Sequence, residues 1–314
     1  MRSSVVVIGS GMMGSGIGAM AALAGNQTIL VDLDQEKVKA GCDRAFQCIA
    51  LRTDNGLNTQ EEAERARQLL TTGTDIEEAA SKARIVIEAI TEDLQIKQHL
   101  FSRLDSLLPS DVPICSNTSG LRITDIAEKC VHPERTMTTH FWLPAHLVPL
   151  VEVVMGDSTS LEMAQNMICE LKGWKKSPVL VRRDLPGQLA NRIFQAMIRE
   201  AVSIVASGLA SAEDVDTAIS CGMAMRFPEW GPLKHLDAIG LELGLKVQDS
   251  VLPGICAEKE AGSYLRQLVE QGETGVAAGK GFYDWSKRDI HKDIAKRDVF
   301  IMEAVKVTQR LEQC

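Results

Sequence analysis

The chain has 314 residues, 45% apolar and 24% charged, which at about 150 residues per domain is enough for two hydrophobic cores and unlike the polar make-up of disorder. With 34 Lys and Arg against 42 Asp and Glu the formal charge is −8, so there is no basic field for nucleic acid, and no apolar run approaches the ~20 residues of a membrane span. Glycine interrupts the opening stretch, Met1 to Gly9, too soon for a signal peptide, and a cytoplasmic protein is expected.

In chain order, Ser4 to Ile8 reads as a β-branched strand, Gly9 to Gly14 as a glycine turn, Met12 to Leu23 as a helix stopped at Gly25, and Thr28 to Val31 as a second strand. A charged amphipathic helix follows from Asp34 to Leu51. A polar helix, Thr59 to Leu70, looks solvated, so residues near 40–72 read as a helical insertion or hairpin. Strands are then expected at Arg84 to Ile87, Val112 to Cys115, Arg135 to Phe141, Leu150 to Met155 and Pro178 to Val181. Helices Asp93 to Leu107, Ile123 to Lys129 and Leu161 to Leu171 lie between them. After Asp184-Leu185-Pro186-Gly187 only helical periodicity remains, clearest in Leu189 to Ser207 and Ala212 to Ser220, with no strand signal before about Gly281. The expectation is an α/β Rossmann-type N-terminal domain over 1–185, with a mainly parallel doubly wound sheet, and an all-α C-terminal domain over 186–314. Cys42, Cys48, Cys115, Cys130, Cys169, Cys221, Cys256 and Cys314 form no Cys-x-x-Cys pair and no zinc spacing, so reduced thiols and no metal are expected.

Gly9-Ser10-Gly11-Met12-Met13-Gly14 follows a strand and opens a helix, the context in which a G-x-G-x-x-G run binds a dinucleotide. The first glycine makes the turn, the second admits the pyrophosphate, the third lets helix and strand pack, and the helix N-terminus receives the phosphates. Asp32, at the end of the second strand, suits the ribose hydroxyls and repels a 2′-phosphate, and Leu33-Asp34 supplies no arginine for one. NAD is therefore expected over NADP.

Glu152, inside Leu150-Val151-Glu152-Val153-Val154, is costly to bury alone. Its nearest upstream partner is His140, closing the strand Thr136 to Thr139. A histidine held by a carboxylate is the arrangement of a general base, and a satisfied core histidine is the alternative. Ser116-Asn117-Thr118-Ser119-Gly120 and Glu88-Ala89-Ile90-Thr91-Glu92 follow strands in the same way, suited either to helix capping or to contacts with nicotinamide and substrate.

These residues resemble the 3-hydroxyacyl-CoA dehydrogenase family over nearly the whole chain. The ordered matches are the turn from Gly9, Val86 to Glu92 with Lys97, Ser116 to Ser119, His140-Phe141, Leu150 to Val154, Asp184 to Gly187 with Asn191-Arg192, Gly231-Pro232-Leu233, and Gly279-Lys280-Gly281-Phe282-Tyr283. The resemblance implies a two-domain NAD enzyme, homodimeric through its helical domain, that oxidises a secondary alcohol β to a carbonyl. It implies His140 as base, Glu152 as its partner, Ser119 and Asn191 on the reacting oxygen, and Gly9, Gly11, Met12, Met13, Gly14, Asp32, Ala89, Glu92, Lys97, Asn117 and Ser119 around the cofactor.

Three departures bear on the substrate. Leu143 stands where the family usually has asparagine, the helical region after Asp32 lacks the usual serine and lysines for the CoA nucleotide, and Ala277 replaces a further lysine. CoA carries several phosphate charges, so these losses weaken its binding. Trp142 to Pro149 resembles instead a branch acting on free acids and dicarbonyl compounds, among them dehydrogenases for carnitine, gulonate, pyridine-ring carboxylates and diketo esters. A small CoA-free hydroxy acid or dicarbonyl is therefore expected, with Leu143, His146 and Arg192 as substrate contacts and L-3-hydroxyacyl-CoA oxidation as the alternative. The 3-hydroxyisobutyrate and 6-phosphogluconate dehydrogenases share the glycine turn but place a lysine four residues before an asparagine, where this chain has Gly187 before Asn191. A non-catalytic NAD binder, crystallin-like or regulatory, is the alternative outside enzymes.

Overall fold

The computed structural model describes residues 3 to 311; Met1, Arg2 and Cys314 lie outside them. The chain divides into two compact units, Met1–Ala190 and Asn191–Cys314. The first carries one eight-stranded sheet in the order β3-β2-β1-β4-β5-β6-β7-β8. Its strands are β1 (Ser4–Ile8), β2 (Gln27–Val31), β3 (Leu70–Gly73), β4 (Ala83–Glu88), β5 (Ile114–Ser116), β6 (Thr136–Phe141), β7 (Leu150–Met155) and β8 (Ser177–Val181).

Every neighbouring pair is parallel except β6 and β7. Residues 142 to 149 join those two, and a parallel return needs a crossover of roughly a dozen residues or more, so the second strand runs back beside the first. The reversal sets His140 directly opposite Glu152. Helices α1 (Met12–Leu23) and α7 (Leu161–Gly173) cover one face over Val5, Val7, Met137, Phe141 and Val153. The other face carries α4 (Ile76–Ser81), α5 (Leu94–Leu107) and α6 (Ile123–Ile126) over Val6, Ile8, Val86 and Ile114.

The region expected as an insertion is a crossover. Helices α2 (Gln35–Asp54) and α3 (Gln60–Leu69) lead from β2 into β3, which pairs with β2 in parallel. Nor is α3 wholly solvated. Ala63 and Ala66 bury against Ala19, Ala22, Ala45 and Ile49, a narrow seam of small residues that high charge on the outer face conceals in the sequence.

The second unit contains most of α8 (Ala190–Ala206), then α9 (Ala212–Ala218), α10 (Pro232–Ile239), α11 (Leu241–Val251), α12 (Ser263–Glu270) and α13 (Ile290–Leu311). Among the described residues its only β-type pairing is two isolated bridges, Gly275 with Lys280 and Lys280 with Asp284. No helix among the described residues is long and apolar enough to cross a membrane.

Candidate active site

The glycine turn fits a dinucleotide for steric reasons. Gly9 has φ 101°, and a Cβ there would stand 2.5 Å from the Ala89 carbonyl oxygen; one at Gly14 would stand 1.8 Å from the Gly9 oxygen. Gly11 is different, since a Cβ there meets nothing within 4 Å. Its backbone faces open space at the start of α1, a helix end with no side-chain cap and no acidic residue in its first turn. Such an end accepts an anion. Met12, 68% exposed, and Met13 continue that rim.

Asp32 sits beside the turn. Its Oδ2 accepts from the Ser10 N–H and hydroxyl, both at 2.7 Å, and its Oδ1 from the Leu33 N–H at 2.8 Å. Burial works against its charge, but the Ser10 and Leu33 donors outweigh it and hold the carboxyl below the usual range. The side chain stays ionised, as a ribose acceptor that excludes a 2′-phosphate must be.

Two glutamates at the ends of neighbouring elements organise the next loops. Glu88, fully buried at the end of β4, accepts from Lys97 Nζ at 2.6 Å and the Ile90 N–H at 2.7 Å through Oε1, and from Ser116 Oγ at 2.7 Å through Oε2. Glu92 accepts from Thr118 Oγ1 at 2.6 Å and from the N–H groups of Ser119 and Gly120 at 3.2 and 3.0 Å. Burial opposes the Glu92 charge, yet Thr118, Gly120 and Lys97 keep its carboxyl below the ordinary range. Neither glutamate caps the following helix. Asp93 does, accepting from the Ile96 N–H at 2.9 Å.

Lys97 is 1% exposed, with its ammonium on Glu88 and 3.4 Å from Glu92, so it acts on the cleft through Glu92. Asn117 clips the loop to β6 by accepting from the Phe141 N–H at 2.9 Å, and Ser119 leaves its side chain at the surface.

The cross-strand pair is closed. His140 Nδ1 and Glu152 Oε2 are 2.7 Å apart, and the Trp142 indole N–H donates to the same oxygen at 3.1 Å. Glu152 Oε1 accepts from the backbone N–H groups of Leu189 and Ala190 at 2.9 and 2.8 Å. Burial alone would raise the glutamate, but donation from His140, Ala190, Trp142 and Leu189 brings it down to about 2. An ionised Glu152 only accepts, so Nδ1 carries a proton, and in the neutral ring that tautomer leaves the lone pair on Nε2. Sequence reasoning paired His140 with Glu152 but gave Trp142 no place beside them, and it read Glu88 as a helix cap or ligand contact where the structure gives it Lys97 and Ser116. A half-buried indole two residues from His140 calls for an acceptor, and that is the available signal.

The 142–149 connection carries Leu143, 52% exposed, and His146, whose carbonyl accepts from Arg52. Asn191 and Arg192 belong to the second unit, on the first turn of α8, where Asn191 Oδ1 accepts from Gln195 at 3.4 Å. Among the described residues no group of three His, Cys, Asp or Glu is placed to hold a metal.

Comparison with known proteins places the chain in a family. Residues 4–185 match "3-hydroxyacyl-CoA dehydrogenase, NAD binding domain", and residues 187–285 match "3-hydroxyacyl-CoA dehydrogenase, C-terminal domain". The chain is 35% identical to the probable 3-hydroxybutyryl-CoA dehydrogenase of Bacillus subtilis over 285 residues, 90% of this chain and 98% of that protein. It is 28% identical to the 5-formyl-3-hydroxy-2-methylpyridine 4-carboxylate 5-dehydrogenase of Mesorhizobium japonicum, covering 90% and 91%. Among solved structures, an NAD⁺-dependent dehydrogenase of that same pyridine acid superposes with TM-score 0.89 at 25% identity, covering 98% and 99% of the two chains. The (S)-3-hydroxybutyryl-CoA dehydrogenase of Ralstonia eutropha gives 0.74 at 30% identity, covering 91% and 100%. This chain belongs to the 3-hydroxyacyl-CoA dehydrogenase family, and it is an NAD-dependent dehydrogenase acting on a hydroxyl group.

Proposed function

We propose that the chain oxidises, reversibly, a secondary alcohol β to a carbonyl or carboxylate, with His140 as the base and Glu152 as the group that fixes its tautomer. The observation that carries the reading is the 2.7 Å contact of Nδ1 with a glutamate already saturated by three other donors, which leaves Nε2 as the proton acceptor. NAD, when bound, takes up the hydride. Nε2 removes the hydroxyl proton, and in reduction returns it. The Ser119 hydroxyl donates to the reacting oxygen as charge builds there, a role the resemblance also gives to Asn191. Gly11, Met12, Met13, Gly14 and Asp32 hold the dinucleotide, with Ala89, Glu92, Asn117 and Ser119 on its nicotinamide side.

The substrate we favour is a small hydroxy acid or dicarbonyl free of CoA. Arg52, one of the cations of the helical region, is 3% exposed and already donates to the His146 carbonyl and Asn58, so it is not offered to a nucleotide phosphate. The superposition on the pyridine-acid enzyme, 0.89 against 0.74, points the same way. His146 and Arg192 are the candidates for its carboxylate. The second reading, a 3-hydroxyacyl-CoA dehydrogenase, is favoured by the 35% identity to the Bacillus enzyme.

An NAD-coupled screen of 3-hydroxybutyryl-CoA against free β-hydroxy acids separates the two, and far faster turnover of the thioester would overturn our preference. His140→Gln should lower kcat by ~100-fold or more with NADH affinity near wild type, since only the proton transfer is lost. Unchanged turnover removes His140 from the base role. If wild type turns over nothing in the panel, the non-catalytic NAD-binding reading takes its place.

We further propose a cytoplasmic homodimer formed through the helical unit. Its support is α8, 17 residues with none buried and Ile193 61% exposed.

A further inference from the structure

Lys176, just before β8, is 6% exposed and has no carboxylate partner among the described residues. Its ammonium donates to the backbone carbonyls of Ala145 and of Val148, the latter at 2.8 Å, and lies 5.8 Å from the centroid of the Phe141 ring. Arg52, on the inner side of α2, donates to the His146 carbonyl and, at 2.7 Å, to Asn58 Oδ1. Burial pushes Lys176 down to about 7, with the Arg52 charge adding to the fall. Burying these two basic side chains with carbonyls rather than carboxylates as their main partners is costly in desolvation, and packing alone does not require it.

All three carbonyls belong to the connection between β6 and β7, the strands that carry His140 and Glu152. Within it the Leu147 and Val148 N–H groups donate to the Pro144 oxygen. It also rests on α1, where a Cβ at Gly16 would come 3.1 Å from that of Ala145. Its first residue, Trp142, donates to the Glu152 oxygen that meets His140. The loop is thus tied at one end to the dyad and in its middle to two cations from elements remote in sequence.

We propose that Lys176 and Arg52 are positioning residues for the dehydrogenase reaction, holding residues 143–148 so that Trp142 keeps its hydrogen bond on Glu152 and His140 keeps its orientation. The proposal rests on the reading of His140 and Glu152 as the catalytic pair and adds two residues that no site motif contains. Neither cation touches substrate. They act through the loop.

The test uses the full chain and a substrate that wild type turns over in the panel above. Lys176→Met and Arg52→Met should each lower kcat by ~10- to 100-fold, the scale of an ångström misplacement, while NADH affinity stays within about twofold. Amide hydrogen exchange in 143–148 should rise by ~10-fold or more in both variants. Trp142→Phe should lower kcat less, and the double variant Lys176→Met/Trp142→Phe should be no slower than Lys176→Met alone, because both changes break one linkage.

Faster exchange with kcat within twofold of wild type would show that the cations only fill a loop, and would overturn the proposal, as would unchanged exchange. Fully multiplicative effects in the double variant would remove Trp142 from the route and overturn it equally. If Lys176→Met does not fold, Arg52→Met decides alone. A wild type inactive on every substrate fails the catalytic reading and takes this proposal with it, a result distinct from an active wild type matched by its variants.

Discussion

The two units use their polar and apolar groups in opposite ways. Around one end of its sheet the first unit buries Glu88, Lys97 of α5, Thr118, His140 and Glu152, each with specific partners. Among the described residues the second unit buries no charged side chain, and its buried hydrophobic residues are Val215, Leu268 and Met302. Its apolar side chains lie largely open, as with Ile193, Leu241 and Phe300, and others line a cavity of about 390 Å³ between α8 and α12. A wide sheet covered on both faces supplies enough apolar area to carry ionised groups at its edge, and those groups become chemistry. A bundle of short helices with so little interior instead presents surface for another chain, as the proposed dimer requires.

Buried ion pairs give the sharpest way to break the contrast. Lys97→Met leaves Glu88 ionised, buried and short of its cation, and should destabilise the first unit by ~3 to 5 kcal/mol in denaturant unfolding. A loss below about 1 kcal/mol would mean that Ser116 and Ile90 suffice for Glu88 and that the pair is incidental.

Acid sharpens it further. Glu152 is held near 2 in the fold against an ordinary 4.5, so its contribution is complete above about 4.5 and disappears as pH falls toward 2. The shift corresponds to something on the order of 3 kcal/mol. Unfolding free energy measured across that window should fall more steeply in wild type than in Glu152→Gln, and parallel curves would refute the depressed carboxyl.

These residues also show what a sequence discloses. Strands β1, β4 and β7 were legible because Val and Ile dominate them, β6 through its β-branched threonines and closing Phe141, and Gly9 to Gly14 because its glycines answer steric demands visible in the fold. The strand Leu70–Gly73 was not, since Leu70 is its one apolar side chain and its place follows from pairing with β2. The short helix Ile76–Ser81 escaped notice for a related reason, its signal being the Asp75 cap rather than periodicity. The pairing of His140 with Glu152 could be read because a glutamate inside an apolar strand demands a partner. The holding of Ala145, His146 and Val148 by Lys176 and Arg52 could not, because a carbonyl acceptor leaves no mark in sequence.

The cofactor site offers a comparison of intermediate size. NADH at 100 times its Kd should raise unfolding free energy by ~2.7 kcal/mol, with NADPH at the same concentration raising it much less, because ionised Asp32 opposes the extra phosphate. The melting temperature checks it, and equal shifts for the two nucleotides would remove Asp32 from the discrimination.

The smallest effect tests the contrast from the other side. Lys306 and Glu303 on α13 lie 2.6 Å apart, the same separation as the buried Lys97–Glu88 pair, yet their side chains are 31% and 59% exposed. If short distance made an ion pair matter, Lys306→Met would cost as much as Lys97→Met. Water already solvates both partners and helix-surface pairs contribute little, so the expected change is below ~0.5 kcal/mol. A cost comparable to that of Lys97→Met would mean that the second unit, too, holds its charges in a desolvated setting, most simply beneath a second subunit. Repeating the measurement across protein concentrations that dissociate a dimer would then show the cost falling toward zero in the monomer.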